Sequence, residues 1–86
     1  MKMIIAILKD SDSDAVTQGL TSVEFRVTRV ASTGGFFKKG TVTLFIGVDD
    51  DQVDAAITVL REKTTPVSDE KRCTIFVVPV ERFEQI

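Results

Sequence analysis

The sequence predicts an α+β fold of the ferredoxin-like kind: element order βαββαβ, a four-stranded antiparallel sheet and both helices on one face. Three observations carry this. Residues 3–8 (Met-Ile-Ile-Ala-Ile-Leu) form a continuous apolar run rich in β-branched side chains, too short for a core helix. Two further stretches, 23–31 and 41–48, alternate in polarity on either side of a Gly34-Gly35 pair, as the arms of a hairpin do. Val53, Ala56, Ile57 and Leu60 recur at i, i+3, i+4 and i+7, the period of a helix with one buried stripe. With 86 residues the chain is one domain, 1–86, with a single thin core.

Taken in order, the first run is a strand covered on both faces, the centre of the sheet. Ser11-Asp12-Ser13-Asp14 follows the capping pattern of a helix start, and Ala15, Val16 and Leu20 supply a modest apolar stripe that ends near Thr21. Gly19 weakens this short helix. The acidic residues suit a helix's first turn, where the macrodipole favours them, and no metal is assigned.

In the second strand Val23, Phe25 and Val27 point one way and Glu24, Arg26, Thr28 and Val30 the other, so Arg26 shares a face with Thr28 while Arg29 lies opposite. In the third, Val42, Leu44, Ile46 and Val48 oppose Thr41, Thr43, Phe45 and Gly47. A glycine inside a strand, as at Gly47, marks a bulge or a close approach by another backbone or a ligand. Asp49 or Asp50 caps the second helix, whose exposed face carries Asp54, Arg61 and Lys63. A turn-rich connector over 64–71 precedes the last strand, 72–78, and the tail contains a single turn around 81–85. Because the first and last strands are apolar on both sides, a monomer would expose a second apolar surface. The sequence therefore predicts a homo-oligomer with its open sheet faces turned inward.

Composition removes several function classes. The chain is 43% hydrophobic and 28% charged with a formal charge of −2, ordinary for a soluble domain and without the basic footprint that nucleic acid requires. It has no histidine and one cysteine, which excludes a disulfide framework, a Cys/His zinc site and a histidine-based triad within one chain. The apolar start runs directly into Lys9, Asp10, Asp12 and Asp14, unlike a secretory leader, and no transmembrane span is present. A cytoplasmic location and a reduced, buried Cys73 are expected.

Chemistry concentrates in Thr33-Gly34-Gly35-Phe36-Phe37-Lys38-Lys39-Gly40, where adjacent glycines, aromatics and lysines occur together. Paired glycines leave successive N–H groups bare enough to hold an anion, lysines add charge, and an aromatic ring offers a flat face to a base. The same stretch also reads as a plain hairpin turn with solvated lysines. The 35–40 spacing of a phosphate loop fails, since Thr41 stands where the lysine belongs and a strand follows. Asp49, Asp50 and Asp51 read as caps before they read as a catalytic pair, and no nucleophile has a base beside it. Binding, not catalysis, is the expectation, with no cofactor.

Phe25-Arg26-x-Thr28, then Thr33-Gly34-Gly35-Phe36, Gly40, Thr43 and Gly47-Val48-Asp49, resemble the PII-like cyclic-di-AMP receptors of bacteria, as do residues 1–7 and the end with Pro79, Val80, Phe83 and Gln85. The resemblance implies a PII-like homotrimer that binds a signalling dinucleotide, cyclic di-AMP or another adenine nucleotide, in clefts between subunits and signals to a downstream protein through its loops. It implies a ligand site drawn from Arg26, Val27, Thr28, Thr33, Gly34, Gly35, Phe36, Phe37, Thr41, Gly47 and Gln85. Arg26 and Thr28 would hold polar edges, Gly35 and Gly47 would admit the ligand to the backbone, Phe36 would stack, and Gln85 would reach in from the tail. The chain departs from the family in having Thr41 where an asparagine is usual, and only a short connector, 64–72, where the family carries a longer insertion. The alternative is a structural trimer module that docks a partner protein without nucleotide.

Overall fold

The computed structural model describes residues 1–31, 40–68 and 70–86, with the side chain of Ala31 left undescribed. It has the predicted order: β1 (Lys2–Lys9), α1 (Asp10–Ser22), β2 (Arg26–Ala31), β3 (Thr41–Val48), a 3-10 turn (Asp50–Gln52), α2 (Val53–Lys63) and β4 (Cys73–Pro79). One antiparallel sheet in the order β2-β3-β1-β4 places the apolar first strand beside β3 and β4, away from both edges, as a doubly apolar strand requires. Both helices lie on one face, as predicted for the ferredoxin-like class. Ile4, Ala6 and Leu8 of β1 and Val42, Leu44, Ile46 and Val48 of β3 are buried with Val16 and Leu20 of α1 and Ala56 and Leu60 of α2.

The other face carries Met3, Ile5 and Ile7 in register with Gly47, Phe45 and Thr43 on one side and with Val78, Phe76 and Thr74 on the other. Phe76 is 53% exposed there while Thr43 is buried, and among the described residues no helix packs on this face.

Several local expectations are corrected. α1 begins at Asp10 with Lys9 in the capping position and no side-chain cap. Asp12 is instead buried, accepting hydrogen bonds from the Thr65 N–H (3.2 Å) and hydroxyl (2.8 Å), so a tertiary contact has taken the carboxylate that a cap would use. The helix runs for 13 residues despite Gly19, because the missing side chain makes room for α2: a Cβ there would stand 3.0 Å from both Val59 and Lys63.

Strand β2 starts at Arg26 and not at Val23. The N–H groups of Val23, Glu24 and Phe25 bond back to Leu20 and Thr21 carbonyls, closing the end of α1, and Glu24 takes a positive φ of 69° in that turn. The second helix is entered through a 3-10 turn in which neither Asp49 nor Gln52 makes a side-chain cap. The Asp50 carboxylate pairs with the Met1 ammonium (3.0 Å), which holds its pKa below the usual value. The tail forms no helical turn, as a seven-residue segment offers too few bonds to offset nucleation. Cys73 is only half-buried, though burial pushes its thiol up to about 11.

Candidate functional site

Pairing of β2 with β3 sets the geometry. Arg26 stands opposite Gly47 and Thr28 opposite Phe45, so both side chains rise from the open face, as their alternation predicts. Both are exposed. The two arginines of this strand differ in commitment. Arg29, on the helix side, donates to Ser13 Oγ (2.9 Å) and to the Asp14 carboxylate (3.1 Å), whereas Arg26 has no ion-pair partner among the described residues. A free guanidinium fork next to a residue without a side chain leaves room for an anion or a base edge against the backbone. Val27 turns the opposite way, opposite Ile46, and packs on the core, so only its backbone is available at this surface.

At Gly47 the ladder is continuous on both sides and there is no bulge. The close approach comes from Met1: a Cβ on Gly47 would lie 3.2 Å from Met1 Cε. Met1 is tied at both ends, by its ammonium to Asp50 and by its carbonyl, which accepts from Val80 N–H (3.1 Å). The tail that carries Gln85 therefore leaves the sheet at the Arg26–Gly47 pole, and Gln85 itself is exposed. Sequence reasoning missed Met1, because nothing in a terminal methionine distinguishes one that covers a strand glycine.

Thr41 lies at the other pole. It opens β3 opposite Lys9, half-buried, six positions from Gly47, or about 20 Å along the strand. Gly40 before it has φ +83°, a conformation that favours glycine, and its carbonyl accepts from Asp10 N–H (2.8 Å). The remaining residues expected in the site, Thr33, Gly34, Gly35, Phe36 and Phe37, lie outside the described residues. One subunit thus brings Arg26, Thr28 and Gly47 together and holds Thr41 well apart from them.

Residues 1–71 match the family model described as the cyclic-di-AMP receptor, a span that includes β1 to α2 and nearly all of the connector. Gln85 falls beyond the matched span. Among solved structures, the crystal structure of a functionally unknown protein from Pediococcus pentosaceus ATCC 25745 superposes with a TM-score of 0.80 at 24% sequence identity, covering 99% of this chain and 96% of that one. At that identity the likeness is one of fold.

Proposed function

We propose that this chain, which belongs to the cyclic-di-AMP receptor family, is a PII-like signalling sensor that binds cyclic di-AMP in clefts between the subunits of a homotrimer and passes the bound state on through its loops. Receptor membership implies binding rather than catalysis. The observation that carries the reading is Arg26, without an ion-pair partner among the described residues, standing opposite Gly47 with Thr28 two residues on along the same open face. In this reading Arg26 and Thr28 hold polar edges of the nucleotide, Gly47 admits it to the backbone, and Val27 contributes its main chain. Phe36 stacks on a base, with Gly34 and Gly35 near a phosphate.

The separation of Thr41 from Arg26 supports a cleft completed by a neighbour, since a ligand that uses both poles is met more readily by two subunits than by one. The open face of Ile5, Ile7, Phe45, Phe76 and Val78 supports assembly, as each large apolar side chain covered contributes roughly 1.5 to 3 kcal/mol. No described helix is long and apolar enough to cross a membrane, which is compatible with a cytoplasmic sensor.

Calorimetry at physiological salt with cyclic di-AMP, cyclic di-GMP, ATP and AMP tests the proposal. Cyclic di-AMP should bind most tightly. Arg26→Ala should weaken it about tenfold or more, since a hydrogen bond to a charged group is worth roughly 1.5 to 3 kcal/mol. Absence of binding by the whole panel would overturn the sensor reading.

A further inference from the structure

We propose that the groove between α2 and β4 is a docking site for an acidic, extended segment of a partner protein, added as a further strand on the outer edge of β4. The inference goes beyond nucleotide sensing and stands without it, because β4 and β2 lie at opposite edges of the sheet, three strand spacings or about 14 Å apart.

Three features converge on it. The first is an unguarded edge. Natural edge strands deter pairing with charges, prolines or bulges. The other edge, β2, carries Arg26 and Arg29, whereas β4 has no charged residue along Cys73–Pro79 and only its final Pro79 as a guard. The second is an apolar floor left open. Cys73, Ile75 and Val77 face the helix side, opposite Leu8, Ala6 and Ile4, yet Val77 is 41% exposed. A groove of about 430 Å³ separates Ile75 and Cys73 from Ile57 and Leu60 of α2.

The third is charge. The groove is rimmed by Arg61, Lys71 and Arg72 against Glu70, and the Glu70 carboxylate is already held by Lys9 Nζ at 3.0 Å. Arg72 donates its Nε to Thr64 Oγ1 (3.2 Å), which fixes the guanidinium at the rim and leaves its terminal nitrogens to fork a carboxylate. Arg61 and Lys71 form no ion pair among the described residues. An added strand would bond its main chain to β4 and send alternate side chains into the groove. Glutamates there would lay their methylenes on Ile57 and Ile75 and reach the cations.

The probe is a fluorescent seven-residue peptide alternating glutamate and valine, titrated with the assembled full-length protein and followed by anisotropy at physiological salt. It should bind saturably, with and without cyclic di-AMP. A lysine-for-glutamate counterpart should bind at least tenfold more weakly, as should Arg61→Glu with Lys71→Glu, a pair of surface changes that should leave the sedimentation mass and melting point unchanged. Methylating one alternate set of peptide amides should abolish binding while methylating the other set should not. Failure of the acidic peptide to bind, equal binding by both methylated forms, or displacement by inorganic phosphate would overturn the proposal. So would a fall in sedimentation mass in the double variant, which would assign this edge to a second copy of the chain.

Discussion

Gly47→Ala separates the ligand's need for a bare backbone from the protein's own needs, because the two readouts should move in opposite directions. Gly47 is not among the described glycines with positive φ, so alanine can adopt its extended backbone without strain. The nearest obstacle to the new methyl is Met1 Cε at 3.2 Å, the far end of a flexible side chain that is 49% exposed and can give by a few tenths of an ångström. Restricting the unfolded chain at a compatible glycine typically stabilises a protein by about 0.4 to 1 kcal/mol. For a domain of this size that is a rise in melting temperature of roughly 2 to 8 °C. In the proposed ligand site the same methyl would occupy the space beside Arg26 through which a nucleotide would reach the backbone, and losing that approach should cost about tenfold in affinity, or about 1.4 kcal/mol. Thermal denaturation of the free protein and calorimetry with cyclic di-AMP read the two terms. Unchanged affinity in a well-folded Gly47→Ala protein would show that the ligand does not approach this position, and a destabilised variant would refute the account of Met1 as a yielding neighbour.

Three further outcomes follow from contacts within the fold. Ile5→Asp places a charge at the centre of the open face, between Phe45 and Phe76, and should reduce the mass in solution from that of an oligomer to 9.5 kDa; an unchanged oligomer would mean that subunits meet elsewhere. Asp12→Ala removes the carboxylate that bonds Thr65, and with charged hydrogen bonds worth roughly 1.5 to 3 kcal/mol the melting temperature should fall by about 10 °C; a shift within about 2 °C would show that the connector is held by other contacts. Burial raises the Cys73 thiol, so its thiolate is scarce until the pH nears about 11. Alkylation at mildly alkaline pH should therefore be at least about tenfold slower in the folded protein than in urea, and equal rates would place Cys73 in solvent.

What the sequence disclosed divides by the range of the interaction that decides each feature. Element order was legible because periodicity is local: the β-branched run of β1, the alternation across 41–48 and the Val53–Leu60 stripe each need only their own side chains. Facing was equally legible, and Arg26, Thr28 and Arg29 stand as alternation assigns them. The start of β2 moved with the local closure of α1, whereas the expected helix caps were lost to distant partners. Asp12, expected among the acidic residues of a capped first turn, is held by Thr65, more than fifty residues away, and Asp50 pairs with the Met1 ammonium instead of capping its own helix. Gly19, a liability in an isolated helix, is the position where Val59 and Lys63 pack close. A propensity scale contains none of these partners.

The same division limits how much of a site one chain can display. Alternation puts Arg26 and Thr28 on one face, and the register brings Gly47 opposite Arg26, so that this half of the proposed site follows from strand geometry alone. The register equally forces Thr41 to the far end of β3, beside Lys9, and no rotamer brings a threonine hydroxyl across about 20 Å of strand. If both ends contribute to one ligand, the second must come from another copy whose open face meets this one, and apolar residues are what that face presents. The link from Gly47 to the tail has a different origin. Met1 touches Gly47 with its side chain and accepts from Val80 with its carbonyl, so a ligand that displaces the methionine also perturbs the start of the segment bearing Phe83 and Gln85. Amide exchange at Val80 reads that coupling directly: cyclic di-AMP should change its protection in the wild-type protein. An unaltered rate at saturating ligand would disconnect the tail from the site.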